Sequence, residues 1–153
     1  PMKVPEPLFK IINIFMSLLL KSPLHGIASG SMMIINFTGR KSGRHYSTPV
    51  RYLNIDDRIR CTTSKHTKWW RNLVSNQSAA LLLGGDLKTC SVEVLMDDDE
   101  RVRAALVSFL ESFPQDAVYQ NIRLEADGSL NQLDLEASIR EAVIVDFAPI
   151  HST

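Results

Sequence analysis

The strongest constraint on the fold of this chain is a set of six short strand-like segments. Turn sequences and a few helical stretches separate them. Apolar and polar residues alternate in several segments, and the last is rich in β-branched residues, as is typical of half-buried and buried strands. Gly84-Gly85-Asp86 and Asn54-Ile55-Asp56-Asp57 are turn sequences between neighbouring segments. Six strands with peripheral helices predict a small barrel, in a mainly β (α+β) fold. The predicted strands are Met32–Phe37, Tyr46–Asn54, Arg58–Thr63, Ser78–Leu83, Leu87–Met96 and Ala142–Phe147.

Helical segments flank and interrupt these strands. An apolar stripe at helical spacing predicts a helix at 7–21, which Ser22-Pro23 should end. A short helix is predicted within 64–76, and another begins at the acidic capping run 97–100. Residues 123–140 suit a short helix or an irregular arm. The 153 residues predict one domain, divided into an N-terminal helix (1–22), core strands with a basic loop (32–96), helices (97–122) and a final strand (142–148).

The basic loop joins the first two predicted strands. Gly39 and Gly43 bracket Arg40-Lys41-Ser42, and Arg44 follows. Glycine allows close approach of the backbone to a ligand, and cationic side chains with a hydroxyl and exposed amides suit a phosphate group. A solvated basic turn is the alternative interpretation. The segment 38–71 holds nine Lys or Arg against two Asp, a net charge of +7, while the remainder carries −7. This local patch favours a small anionic partner over nucleic acid.

The rest of the sequence lacks a recognisable set of catalytic protein groups. No Ser/His/Asp spacing, glycine-rich nucleotide loop or HExxH motif occurs, and the four histidines lack metal-ligand spacing. Cys61 and Cys90 fall in predicted strands outside any CxxC pair, so we expect buried free thiols in a reducing, cytoplasmic compartment. These features are consistent with a cofactor that carries the chemistry, and they predict no metal site.

Several motifs, in order along the chain, carry a resemblance to a known family. Thr38-Gly39-Arg40-Lys41-Ser42-Gly43-Arg44 with Thr48-Pro49, and Thr63-Ser64-Lys65 with Trp69-Trp70-Arg71-Asn72-Leu73, are the two strongest. Leu19 to His25, Phe113-Pro114 and Tyr119-Gln120 add weaker matches. Together they resemble the deazaflavin-dependent nitroreductase and quinone reductase family. That family has a split β-barrel related to the flavin-binding split barrels.

The resemblance implies a cofactor, a reaction and an assembly. The cofactor is coenzyme F420, a hydride carrier with a phosphate and a polyglutamate tail, and the acceptor is a quinone or nitroaromatic compound. Ser64 and Tyr119 are the candidate catalytic groups, and a homodimer is expected. The implied cofactor-binding residues are Gly39, Arg40, Lys41, Ser42, Gly43, Arg44, Thr48, Pro49, Thr63, Ser64, Lys65, Trp69 and Asn72.

The sequence also departs from the family. The linker 66–68 is shorter and lacks glycine, and Phe113 and Asp116 stand where the family has tyrosines in its substrate pocket. Two alternatives therefore stay open, an oxidoreductase that uses FMN and a split-barrel protein that binds a ligand without turnover. For the helix at 7–21 we expect packing against the barrel or a partner subunit, with weak peripheral membrane contact as the alternative.

Overall fold

The computed structural model describes residues 31–76 and 78–150. The predicted helix at 7–21, the segment 1–22 and the motif from Leu19 to His25 lie outside the described residues. Within the described part of the chain, no helix is long and apolar enough to cross a membrane.

In residues 31–76 and 78–150, seven antiparallel strands form one sheet with the order β2-β1-β5-β6-β7-β4-β3. Each hairpin predicted from a turn sequence is present, because β3 pairs with β4 and β5 pairs with β6. The strands are β1 (Met32–Thr38), β2 (His45–Arg51), β3 (Leu53–Ile55), β4 (Arg58–Ser64), β5 (Ser78–Leu83), β6 (Asp86–Leu95) and β7 (Ala142–Pro149).

The sheet curls because its two ends are joined by one residue. The single strand predicted over Tyr46–Asn54 is wrong: the chain leaves the ladder at Tyr52, which separates β2 from β3. These two strands occupy opposite ends of the strand order, so the sheet must bend until its edges meet at Tyr52. The Tyr52 amide donates to the Ser31 carbonyl at 2.8 Å, next to the start of β1. The predicted barrel thus closes by a change of pairing partner within one extended segment.

The interior of the barrel is an apolar core to which alternate strand residues contribute. Alternation along the predicted strand Leu87–Met96 predicts a core face of Lys88, Cys90, Val92, Val94 and Met96. Cys90 is buried and Val92, Val94 and Met96 pack against this core, whereas Lys88 near the hairpin is exposed, so that part of the prediction is wrong. Side chains that alternate along a strand point to opposite faces of a sheet, so one face of each strand supplies the core. The buried members are Met33, Ile35, Phe37, Ile59, Cys61, Trp70, Leu73, Ala79, Leu81, Cys90, Val143, Val145 and Phe147.

Within the described residues, four helical elements surround the barrel, and three of them build a second core against β7. They are α1 (Trp69–Asn76), α2 (Asp99–Ser112), a 3₁₀ helix (Pro114–Gln120) and α3 (Gln132–Ile139). The Asp98 side chain caps α2 by accepting from the Arg101 amide at 3.2 Å. Ile144 of β7 packs with Phe109 and Leu135 from the helices, while Val143 and Val145 face the barrel core. β7 is therefore buried on both faces, and the fold class, mainly β with peripheral helices, is confirmed.

Candidate functional site

The basic loop between β1 and β2 is a closed turn. The Gly39 amide donates to the Arg44 carbonyl at 2.7 Å, and the Gly43 amide donates to the Gly39 carbonyl at 2.9 Å. The Ser42 hydroxyl accepts from the Arg44 amide at 3.2 Å. Gly43 has φ of +69°, a left-handed conformation that favours glycine. These contacts fix the loop so that Arg40, Lys41 and Ser42 are exposed at its tip.

Gly39 is needed because the ring of Tyr46 lies directly against it. A Cβ atom at position 39 would stand 2.7 Å from Tyr46 Cε2 and 2.9 Å from Ser42 Oγ. The Tyr46 ring in turn stacks on Phe37, with ring centroids 5.8 Å apart. The first glycine of the motif therefore serves packing, whereas the second serves backbone conformation.

Asn72 ties this loop to helix α1. Its Oδ1 accepts from the Arg40 amide at 3.0 Å, and its Nδ2 donates to the Trp69 carbonyl at 3.2 Å. The amide group thus satisfies a loop donor with one end and a helix carbonyl with the other. The two sequence motifs are joined at this residue, although 32 positions separate Arg40 from Asn72.

A cleft of about 750 Å³ opens between the loop and α1. Four cationic residues line it, two from the loop and two from the start of α1, and we call it the cationic cleft. No carboxylate is among the described residues that line it. Such a surface attracts anions. The lining residues are Phe37, Gly39, Arg40, Lys41, Ser42, Tyr46, Lys68, Trp69, Arg71 and Asn72.

The short linker between β4 and α1 is ordered by the carbonyl of Ser64. This oxygen accepts from the Thr67 amide at 3.1 Å, from the Thr67 hydroxyl at 3.0 Å and from Trp70 Nε1 at 2.9 Å. The Lys65 ammonium pairs with Asp97 at 2.5 Å, and the Lys65 carbonyl accepts from Arg71 Nη2 at 2.9 Å. The linker therefore holds its shape without the glycines that the resemblance led us to expect there.

A second cleft, of about 480 Å³, lies where β4 ends and the 3₁₀ helix crosses the barrel. Hydroxyl-bearing side chains from β4, the linker and the 3₁₀ helix dominate its polar wall, and we call it the hydroxyl-lined cleft. Trp69 lines both clefts, which therefore meet at this residue. The lining residues are Met32, Pro49, Val50, Arg51, Thr62, Thr63, Ser64, Thr67, Trp69, Phe109, Asp116, Tyr119 and Gln120.

Two contacts hold the 3₁₀ helix over this second cleft. Arg51 Nε donates to Asp116 Oδ2 at 2.7 Å, and Gln120 Nε2 donates to the Thr63 carbonyl at 3.1 Å. Asp116 and Gln120 are both buried, whereas Tyr119 is 78% exposed at the rim. A buried carboxylate needs a cationic partner, and Arg51 supplies it.

The structure divides the sequence-predicted residues between the two clefts. Pro49, Thr63, Ser64 and Tyr119 line the hydroxyl-lined cleft, and Trp69 lines both. The cationic cleft holds the predicted residues Gly39, Arg40, Lys41, Ser42 and Asn72. Neither cleft is lined by Gly43, Arg44, Thr48 or Lys65. Their roles in cofactor binding and catalysis stay predictions.

Several lining residues were not singled out from the sequence. Lys68 entered only through the charge of its segment, and Arg71 stood in a quoted motif without a binding role, although both line the cationic cleft. For the other cleft, Arg51 carried no motif signal, and Gln120 stood in a weak motif match without an assigned role. Asp116 was marked only as a departure from a family tyrosine. Its pairing with Arg51 spans 65 positions, which no local pattern reveals.

The cysteines and the other titratable groups add no nucleophile or metal centre. Burial raises the pKa of the Cys61 thiol well above its ordinary value, and burial raises the pKa of Cys90 to about 11. Both thiols are free. Within 31–76 and 78–150, no group of three or more His, Cys, Asp or Glu side chains is placed to hold a metal ion.

Comparison with known proteins identifies the fold through structure alone. No family model and no curated protein matches the sequence. An F420-H2-dependent reductase superposes with a TM-score of 0.55 at 16% identity, over 77% of this chain and 95% of that one. A protein of the pyridoxinephosphate oxidase family from Clostridium acetobutylicum, related to general stress protein 26, gives 0.52 at 15%, over 86% and 84%.

A third solved structure, described as a domain-swapped dimer, gives a TM-score of 0.53 at 15% identity and covers 92% of this chain and 99% of that one. The chain therefore has the split-barrel fold that such proteins share. The fold that the sequence resemblance implied is confirmed.

Proposed function

We propose that this protein is an oxidoreductase that transfers a hydride from reduced coenzyme F420 to a quinone or nitroaromatic acceptor. The observation that carries the proposal is the pair of clefts that meet at Trp69, one cationic and one rich in hydroxyl groups. An elongated cofactor with an anionic end and a neutral ring needs two such environments side by side. The similarity in fold to an F420-H2-dependent reductase supports the same function.

The cationic cleft fits the anionic part of this cofactor. Arg40 and Lys41 from the loop face the same space as Lys68 and Arg71 from α1 and its approach. Charge-assisted hydrogen bonds to phosphate or carboxylate oxygens contribute about 1.5–3 kcal/mol each. Four cations suit a phosphate followed by several carboxylates better than they suit a single phosphate. Gly43 and Arg44 support this surface by closing the loop behind it.

The hydroxyl-lined cleft fits the ring and the acceptor. When bound, the cofactor supplies the hydride. Pro49 and Trp69 offer apolar surface against a planar ring, and Thr63 and Ser64 present the end of β4 to it. In this proposal the Ser64 and Tyr119 hydroxyls hold the proton that completes reduction of the acceptor. Thr48 lies one residue before Pro49, and Lys65, held by Asp97, fixes the strand end from behind.

FMN is the second candidate cofactor, and a non-catalytic ligand-binding role is the third candidate function. The similarity to a pyridoxinephosphate oxidase family protein favours FMN, whose single phosphate the basic loop would also suit. A binding protein would use the same clefts without turnover. The two cofactors have distinct absorbance and fluorescence, so one titration separates them.

The test is to titrate the purified protein with coenzyme F420 and with FMN, and then to add reduced F420 and a quinone. We expect saturable F420 binding and quinone-dependent reoxidation. Lys41→Ala should weaken F420 binding about tenfold, the lower end of the charged hydrogen-bond range, because Lys41 is exposed. Lys88→Ala is the matched control, since Lys88 is an exposed lysine on β6 that lines neither cleft. FMN binding with no F420 binding would contradict the proposal.

Two further properties belong to this proposal. The protein is a homodimer, which similarity to a domain-swapped dimer supports, and light scattering at micromolar concentration tests it. It works in the cytoplasm, where the two free thiols remain reduced.

A further inference from the structure

One ion pair stands out in the hydroxyl-lined cleft. Among the described residues that line it, Arg51 and Asp116 are the two that carry a formal charge. Arg51 Nε lies 2.7 Å from Asp116 Oδ2, with the two side chains 27% and 12% exposed. The pair is therefore largely removed from water, in a cleft whose other polar groups are neutral. A charge in such surroundings acts more strongly on a bound ligand than a surface charge does.

The surroundings of Arg51 fix its guanidinium in place. Nη1 donates to the Ser31 hydroxyl at 2.8 Å, and the guanidinium carbon lies 5.1 Å from the centroid of the Phe113 ring. A guanidinium carries five N–H donors in a rigid planar fork. The bonds to Asp116 and Ser31 use two of them. The anchored fork can therefore offer further donors to a ligand without first losing conformational freedom.

We propose that Arg51 binds the oxygen of the electron acceptor and stabilises the negative charge that forms there on reduction. This inference rests on the proposed function. In reduction of a quinone, the acceptor gains a hydride and the electron pair comes to rest on a carbonyl oxygen as a phenolate. One proton then completes the hydroquinone, while the reduced deazaflavin that gave the hydride is oxidised. Arg51 meets the phenolate oxygen before that proton arrives.

Asp116 is a positioning residue in this arrangement. It accepts from Nε on one edge of the fork and sits on the 3₁₀ helix that also carries Tyr119 and Gln120. Its carboxylate holds the guanidinium in orientation but also repels an anion in the same cleft. The two residues should therefore affect binding of an anion in opposite directions. A pair with a purely structural role would show the same direction for both.

The acceptor class follows from this chemistry. Arg51 favours acceptors that present a carbonyl or nitro oxygen, and most of all those that already carry negative charge on oxygen. The anion 2-hydroxy-1,4-naphthoquinone is such a compound at neutral pH, and 1,4-naphthoquinone is its neutral match. Comparing the two isolates the charge while keeping the ring.

The experiment measures binding of both naphthoquinones to the full-length protein by fluorescence titration, without reduced cofactor. We expect Arg51→Met to weaken binding of the anion about tenfold or more, and of the neutral quinone less than about threefold. The affinity of Arg51→Lys for the anion should lie between those of wild type and Arg51→Met, and Asp116→Asn should bind the anion more tightly than wild type. Arg103→Met is the matched control, because Arg103 pairs with Glu136 on exposed helices away from both clefts.

The outcomes separate this inference from the proposed function. If Arg51→Met weakens binding of the anion but reduced F420 gives no turnover with any quinone, the oxyanion site stands and the proposed function fails. Turnover with unchanged anion binding in Arg51→Met overturns the site. So does loss of anion binding in Lys41→Met but not in Arg51→Met, which would place the anion in the cationic cleft. If circular dichroism shows that Arg51→Met does not fold, the other two variants decide: weaker binding of the anion in both Arg51→Lys and Asp116→Asn overturns the proposal.

Discussion

Replacing Gly39 by alanine tests how the basic loop is built. The added methyl group would lie 2.7 Å from Tyr46 Cε2 and 2.9 Å from Ser42 Oγ, closer than carbon atoms approach in folded proteins. Relief moves the Tyr46 ring, which is 43% exposed, away from its stack on Phe37. Overpacking of this kind costs about 1–3 kcal/mol. For a chain of this size, that corresponds to a loss of roughly 2–12 °C in melting temperature.

A double-mutant cycle gives the decisive assay for this clash. Tyr46→Ala removes the ring, so Gly39→Ala should cost clearly less in that background, and the coupling energy should exceed about 0.5 kcal/mol. Gly43→Ala is the matched control within the same loop. It meets no atom within 4 Å, and its cost comes from φ of +69°, so it should not couple to Tyr46. Additive effects of Gly39→Ala and Tyr46→Ala in thermal melts would refute the packing explanation.

Three further predictions concern the buried cysteines, the Asp134 carboxyl and Trp69. Cys61 and Cys90, whose burial raises the pKa of each thiol, should react with a thiol reagent only after denaturant is added; labelling of the native protein would contradict this. Hydrogen bonds from Arg123 lower the pKa of the Asp134 carboxyl in the folded protein. The ionised carboxylate therefore stabilises the fold above the pKa of the unfolded state, about 4, and this stabilisation is lost as pH falls through the lower pKa of the folded state. The melting-temperature difference between wild type and Asp134→Asn should therefore shrink below about pH 4. Trp69→Phe should reduce the quenching of tryptophan fluorescence by a ligand in either cleft, and only the part from the neighbouring Trp70, which lines neither cleft, should remain; quenching of unchanged extent would contradict a place for Trp69 in both clefts.

The sequence predicted most of the strands because every second side chain of a strand faces the barrel core, which leaves an alternating apolar pattern. Alternation on β6 identified Val92 and Val94 as core residues, and the β-branched run of β7 identified the last strand. The break at Tyr52 could not be predicted in this way. A strand that changes partners keeps the same local pattern, and only the sheet order reveals that β2 and β3 lie at opposite ends.

The residues of the candidate site also divide into those that local motifs predicted and those that only long-range contacts bring to the site. Residues within one loop or at one strand end, such as Lys41 and Ser64, were marked by local motifs because their neighbours in sequence are their neighbours in space. Arg51 meets Asp116 across 65 positions, and Gln120 meets the Thr63 carbonyl across 57. Such contacts leave no periodic signal in one sequence. The departure at position 116, where the resemblance led us to expect tyrosine, was the one local trace of the buried ion pair.

The shortened linker at 66–68 is ordered without the glycines that the resemblance led us to expect. A linker without glycine loses less backbone entropy when it is ordered, and hydrogen bonds fix its ends. The Ser64 carbonyl accepts three such bonds, and one of them comes from Trp70 Nε1 at the start of α1. That bond sets the first turn of the helix, which in turn places Trp69 where the clefts meet and Asn72 against the basic loop. The carbonyl at the end of β4 thereby positions one residue of each cleft, and the missing glycines are not required for either.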